Sequence, residues 1–402
     1  MTLADTAVPT TDADPFAPDV LTDPVPFHRR LRAAGPVVRL SRYDVLALTR
    51  YDHVHAALVD WQAFRSGAGV GLSNFRTEKP WRPPSLLLET DPPGHDAPRR
   101  VLSTILGPRA LRSLRARWAA DAESLVDEVL AGGPEFDAVA AIGETFPLRV
   151  FPDAVGLPDE GRENLLPYGN MLFNAFGPHN ELVERVLPRM GELSAWVNAR
   201  CARDALAAEG FGADVWAAAD RGDITHDQAP LVVRSLLSAG VDTTVTGISA
   251  VLYAFATHPD QWARLRERPD LARVAFDEAV RWESPVQTFF RTTTREVEIA
   301  GVRVPEERKV LMFLGSANRD PDRWGDDADR FDLDRDPSGH VGFGMGMHQC
   351  VGQHVARLEA ESVLRALATR VETIELAGEP VRRPNNTMRA WESMPVRVRP
   401  AC

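Results

Sequence analysis

The chain reads as a single large domain, mainly helical with a small β portion. Three observations predict this. Helical periodicity dominates from Arg99 to about Thr257. Short runs rich in β-branched and apolar residues occur at Val37–Arg50, Val297–Val304, Lys309–Phe313 and Arg389–Val398. No repeat and no Ser/Gly-rich linker divides the 402 residues.

Each element follows from local chemistry. Residues 1–26 are rich in Pro, Thr and Asp and are expected to be loose, so the domain is taken as 27–402. Val37–Arg50 predicts a hairpin and Tyr51–Asp60 a short helix. Gly67–Pro93, rich in Gly and Pro with scattered aromatics, predicts a long ordered loop, a kind that is often functional. Pro108, Gly132-Gly133-Pro134, Pro158 and Gly177-Pro178 cut the helical region. Thr225 and Gln228 form a capping-box pattern, and Pro259 stops the helix they open. That helix spans about 33 residues, or about 50 Å at about 1.5 Å per residue. Its centre, Ser238-Ala239-Gly240-Val241-Asp242-Thr243-Thr244, holds poor helix formers. Such a local conflict in a strong helix is where function is expected.

Composition narrows the function. The net charge of −11 argues against nucleic acid as a partner. In an acidic protein any anion site must be locally basic. Cys201, Cys350 and Cys402 include no Cys-x-x-Cys pair, which fits a reducing compartment. The opening residues, with Asp5, Asp12, Asp14, Asp19 and Asp23, do not read as a signal peptide, and no run of apolar residues is long enough to span a membrane. The expected location is cytoplasmic.

Cys350 carries the strongest chemical signal. It ends Phe343-Gly344-Met345-Gly346-Met347-His348-Gln349-Cys350, and helical periodicity resumes directly after it at Val355, Leu358, Val363 and Leu367. A helix N-terminus favours a thiolate through its dipole and free N–H groups. Glycines let the loop bend tightly and bring backbone N–H groups near the sulfur. A dinucleotide loop is not matched, and zinc would need more Cys or His at ligand spacing.

The segment Phe343–Gly352 resembles the haem-binding loop of cytochromes P450, Phe-Gly-x-Gly-x-His-x-Cys-x-Gly, at every fixed position. Glu278 and Arg281, some seventy residues earlier, resemble the family's Glu-x-x-Arg pair, with Arg330 as the third member of that ion cluster. Ala239–Thr244 resembles the oxygen-activating helix centre, and Asp91-Pro92-Pro93-Gly94-His95 with Arg99 resembles the propionate-binding segment. The resemblance covers essentially the whole chain. It implies the cytochrome P450 fold and an oxidoreductase, a haem-thiolate monooxygenase, with haem b (iron protoporphyrin IX) on Cys350 as metal ligand. His95, Arg99, Arg291, Phe343 and His348 are then haem-binding residues, and Asp242 and Thr243 deliver protons. Dioxygen is the co-substrate. Electrons arrive singly from NAD(P)H through a ferredoxin reductase and an iron–sulfur ferredoxin. The ferredoxin would dock on a basic face including Arg100, Arg109, Arg112, Arg115 and Arg117.

A closer likeness concerns the substrate. Lys79–Ser85, Phe173–Phe176, Val233–Ser238 and Ser284–Phe290 resemble pocket segments of bacterial P450s that O-demethylate para-methoxybenzoate, with His179 standing where Pro is expected. A buried carboxylate must be given donors. Arg82 is expected to bind it in a bidentate way, with Ser85 and Ser235 donating hydroxyls and Arg234 acting through water. Leu88, Phe173, Phe176, Ser238, Ala239, Val286 and Phe289 are expected around the ring. Other substrates with the same chemistry (alkylbenzoates, cinnamates, terpenes, macrolides), a peroxygenase and a non-catalytic haem sensor remain alternatives.

Overall fold

The computed structural model describes residues 8–80 and 82–401. Met1–Ala7, Trp81 and Cys402 lie outside the described residues, so the expectations for Asp5, Trp81 and Cys402 are not addressed by it. Helices dominate the centre of the chain and a six-stranded sheet flanks them. The sheet order is Thr10–Thr11, Val37–Leu40, Val45–Leu48, Lys309–Phe313, Thr288–Thr293, Phe64–Arg65. The Val37–Leu48 hairpin forms as its pattern predicts, with Val37 opposite Leu48. Its second strand pairs in parallel with Lys309–Phe313, Leu46 facing Val310. Thr288–Thr293, which the sequence marks as a pocket stretch, is itself a strand, with Phe289 opposite Met312. Its β-branched and aromatic run is the signal for it.

The expectation of a loose 1–26 segment is corrected for the described part. Thr10 and Thr11 pair with Arg39 and Leu40, and Phe16 is buried against Tyr43 with ring centroids 5.5 Å apart. The boundary at 26/27 falls inside the helix Val25–Ala34. Strand pairing and an aromatic anchor outweigh the turn-rich composition.

The core centres on Ala229–Thr257, packed by Ala272–Glu283 and Gln353–Arg370, with Pro108–Ala131 packed against the last of these. This segment is long and apolar enough to cross a membrane by length and composition, but 72% of its most apolar window is buried inside the protein. A helix apolar on all faces is a core helix here. The capping box forms: Thr225 N–H donates to Gln228 Oε1 at 3.0 Å and Gln228 N–H to Thr225 Oγ1 at 3.2 Å.

One uninterrupted helix does not form. The segment divides into Ala229–Ala239 and Asp242–Thr257. A Cβ on Gly240 would lie 2.3 Å from the Phe151 ring, so only glycine fits there. Thr243 and Thr244 hydroxyls donate to the carbonyls of Ala239 and Gly240 at 2.7 and 3.1 Å. Hydroxyls that bond back to the preceding turn loosen and bend a helix. The break lies beside the cavity described next.

Candidate active site

A cavity of about 470 Å³ lies between the two halves of this broken helix, the Cys350 loop and the 82–88 loop. Cys350 lines it. The loop is set by Cys350 N–H donating to Phe343 O at 2.8 Å and by glycines at positive φ, +65° at Gly344 and +67° at Gly346. A Cβ on Gly346 would lie 2.9 Å from Leu58 O. Burial pushes the Cys350 thiol up; the Gly352 and Gln353 N–H groups, Arg99 and Arg357 act in the opposite direction. The helix itself begins at Gln353, so its first amides face the sulfur. Phe343 lies beneath Arg357, whose Cζ is 4.6 Å from the ring centre.

His95, Arg99, Arg291 and His348 converge on the same space. Arg291 projects from the strand Thr288–Thr293 and is buried, its Nη1 donating to Phe290 O at 2.9 Å. Neither Arg99 nor Arg291 has a salt-bridge partner among the described residues, and burial lowers both. The His95 and His348 rings are 4.6 Å apart, and burial with His348 and Arg99 nearby lowers His95 to about 4. His348 Nε2 is buried without a hydrogen-bond partner, 3.5 Å from Asp91. A buried and a half-buried guanidinium without counter-ions call for anions. A thiol backed by amides, flanked by two such cations and apolar walls, fits an iron porphyrin with two propionates.

The break exposes Thr243 to the cavity but not Asp242. Asp242 is 2% exposed; its Oδ1 accepts from Arg383 Nη2 at 2.6 Å, while Oδ2 is buried and unpartnered. Burial pushes its carboxyl up and Arg383 pulls it down, with a net rise. Gly169 makes room for it, since a Cβ there would lie 2.7 Å from the Asp242 Cβ.

The ion cluster differs from expectation. Glu278 and Arg281 are both fully buried and paired at 2.7 Å. Arg281 also donates to the carbonyls of Asn318, Ala328 and Arg330 at 2.8, 2.8 and 2.9 Å. Arg330 thus contributes its backbone only, and its side chain is exposed. The third charged member is Arg335, with Nε 3.3 Å from Glu278 Oε1. The two arginines sit five residues apart on one loop, and sequence alone does not say which turns inward.

At the other end of the cavity all eleven residues expected around the substrate are brought together. Phe173 and Phe176 meet edge to face at 5.6 Å, and Phe176 lies 5.8 Å from Phe289. Leu88 and Val286 pack against them. Arg82, expected to bind the carboxylate in a bidentate way, lines the cavity and is met by a carboxylate of the chain itself. Its Nη1 and Nη2 donate to Glu89 Oε2 and Oε1 at 2.7 and 2.6 Å. Glu89 was not singled out in the sequence; its only signal is an acid closing the apolar run Leu86-Leu87-Leu88. Arg234 has no carboxylate partner among the described residues, and its Nη2 donates to Pro84 O at 3.1 Å. Ser85 Oγ accepts from Leu88 N–H at 3.1 Å, which leaves its proton free, whereas Ser235 and Ser238 donate to Leu231 O and Ser235 O.

Fold, sulfur and paired cations define a haem-thiolate protein. The chain belongs to the cytochrome P450 family. It matches the Cytochrome P450 family over residues 200–390. It is 57% identical over 394 residues to cytochrome p450 CYP199A2 of Rhodopseudomonas palustris, covering 98% of this chain and 95% of that one. It is 30% identical to the cytochrome P450 monooxygenase PikC of Streptomyces venezuelae, covering 97% of this chain and 95% of that one. Among solved structures, cytochrome P450 CREJ in complex with (4-ethylphenyl) dihydrogen phosphate aligns with a TM-score of 0.86 at 25% identity, over 96% of this chain and 99% of that one. The protein is accordingly a monooxygenase that uses haem, dioxygen and electrons from a redox partner.

Proposed function

We propose that the protein oxygenates para-substituted aromatic acids, para-methoxybenzoate being the reference substrate. The observation that carries this is Arg234, a guanidinium with no acid partner among the described residues, beside the Ser85 hydroxyl on an aromatic-walled cavity. Arg234 takes the carboxylate, Ser85 donates to it, and Ser235 joins by releasing its bond to Leu231 O. Phe173, Phe176 and Phe289 hold the ring. Ser235 and Thr243 lie eight residues apart on the broken helix, about 12 Å at about 1.5 Å per residue. An acid anchored at the first therefore presents its para group toward the second. The CREJ complex holds a para-substituted aryl anion in the same fold.

His95, Arg99, Arg291 and His348 hold the propionates, and Cys350 ligates the iron. When bound there, the haem would supply dioxygen activation. The chain's own residues bind, orient and move protons. Thr243 Oγ faces the cavity and passes protons inward, and Asp242 receives them from outside by exchanging its bond to Arg383. Oxygen insertion at the methoxy carbon gives a hemiacetal, which collapses to para-hydroxybenzoate and formaldehyde. The balance consumes one dioxygen, two electrons and two protons and releases one water.

The electrons come from a ferredoxin, itself reduced by NAD(P)H through a reductase. It docks on the face carrying Arg100, Arg109 and Arg112, which are exposed. Arg115 and Arg117 contribute less, being paired with Glu361 at 3.1 Å and Asp153 at 2.7 Å. The test is a titration of the ferric protein with para-methoxybenzoate, followed by turnover. A high-spin shift of the Soret band and formaldehyde equal to electron pairs consumed are expected. No shift at saturating acid rejects the substrate reading.

A further inference from the structure

Two cations act on the Cys350 sulfur, Arg99 and Arg357. Unlike Arg99, Arg357 is given an acid by the chain itself. Its Nε donates to both oxygens of Asp277, at 2.7 and 3.0 Å. Its Nη1 donates to Gln353 Oε1 at 2.7 Å, one turn back on the helix Gln353–Arg370, and Gln353 also turns its N–H toward the sulfur. Between these two anchors the guanidinium lies across the Phe343 ring, with Cζ 4.6 Å from its centre. Phe343 lines the cavity and its carbonyl accepts the Cys350 N–H, whereas Arg357 does not line the cavity. The His340 ring also meets Phe343, at 5.5 Å between centres; its Nδ1 accepts the Gly342 N–H at 3.2 Å and its Nε2 lies 3.8 Å from Asp277 Oδ1. Asp277 thus faces both polar groups that flank the ring. Its own place is fixed on the helix Ala272–Glu283, next to Glu278 of the fully buried pair with Arg281. The Arg357 and Asp277 side chains are 12% and 16% exposed, so solvent ions screen them little.

We propose that Asp277 is a positioning residue for electron uptake: it holds Arg357 across Phe343 and offsets its charge, and so sets how readily an iron on Cys350 accepts an electron. This does not depend on the substrate, but it rests on Cys350 as the iron ligand. Reduction adds one negative charge at the iron. A nearby positive charge favours that step and a nearby negative charge opposes it. Arg357 alone would draw on the thiolate and make the iron easier to reduce. Asp277 beside it turns a full charge into a short dipole, whose field falls off faster with distance. The Phe343 ring keeps the guanidinium off the cavity, so the pair works through its field and not by ligation. Outer groups of this kind tune a metal centre without touching it.

The test is the one-electron reduction of the holoenzyme, poised by a dye mediator with no protein partner present, with the reduced carbon monoxide band recorded for each sample. At fixed poise, Asp277→Asn is expected to raise the reduced-to-oxidised ratio about threefold or more, a positive shift of about 28 mV at about 59 mV per tenfold. Arg357→Gln is expected to lower the ratio by a similar factor, and the double variant to return toward the native value. Asp277→Glu and Arg357→Lys, which keep the charges, are expected to stay within about twofold of native. A merely structural pair would move both single variants in the same direction. Shifts of one sign in both, or no shift in either, would overturn the proposal. Where Asp277→Asn does not hold haem, Arg357→Gln is read against Arg357→Lys: a lowered ratio in the glutamine variant alone sustains the role of charge, and equal ratios in the two overturn it. A native protein whose reduced carbon monoxide complex lacks the red-shifted band rejects Cys350 as ligand and the Asp277 role with it, whereas a normal band with reduction indifferent to both charges rejects Asp277 alone.

Discussion

The two ends of the cavity treat their arginines in opposite ways. Beside Cys350, Arg99 and Arg291 are sequestered without an acid partner among the described residues. At the substrate end, Arg82 is closed onto Glu89, and Arg234 has no acid partner among the described residues. A cation withdrawn from water in part or whole without a partner is satisfied only when an anion arrives, so it marks where a ligand's charge goes. A paired one fixes structure. The difference teaches that an arginine's type and neighbourhood in sequence do not tell whether it serves a ligand; its counter-ion does.

The largest effect that can break this contrast is at the sulfur. Cys350→His should abolish monooxygenase turnover and the red-shifted band of the reduced carbon monoxide complex, even where haem is retained. Retention of that band would detach the thiolate from Cys350. The next effect sharpens the structural side. Glu278→Ala leaves Arg281 buried and unpaired and should cost about 3–5 kcal/mol in denaturant unfolding. Arg330→Ala, at an exposed side chain, should stay within about 0.5 kcal/mol, and Arg335→Ala should fall between. Equal losses at 330 and 335 would reopen the assignment.

How far such pairings can be read from sequence depends on how local they are. The Cys350 loop was legible because its ligand, glycines and helix start lie within ten residues, as does the Thr225–Gln228 capping box. The hairpin and the helix after it were legible for the same reason. The need for glycine at 240 was not, because it is imposed by Phe151, some ninety residues away in the chain. The ordered start of the chain depends on a parallel pairing with Arg39 and Leu40. Arg330 was named where Arg335 turns inward, because loops, unlike helices, have no period that says which of two arginines does so.

Two smaller effects extend the contrast. Thr243→Ala should keep ligand binding and electron consumption but lower the fraction of electrons recovered as product, several-fold, with peroxide making up the difference. Arg383→Gln should slow turnover less, since Asp242 is retained. Full coupling in Thr243→Ala would remove Thr243 from the proton path. The other effect concerns Glu283, paired with Arg382 at 2.7 Å and Arg389 at 2.9 Å. Burial pushes its carboxyl up, but Arg382, Arg389 and Arg319 pull it further down, so its folded value lies below the usual one. The stability it adds is therefore present above the unfolded carboxylate value and is lost as pH falls through the lower folded value. Glu283→Gln should destabilise clearly at neutral pH and less in acid. A penalty that grows with acidity would contradict the sign.

The most direct measurement compares Arg234→Gln with the native protein for para-methoxybenzoate and for neutral para-methoxyacetophenone. If unpaired arginines mark where ligand charge goes, the acid should lose about tenfold or more in affinity, and the ketone should change by less than about twofold. Equal losses for both ligands, or an acid affinity left intact, would contradict the account.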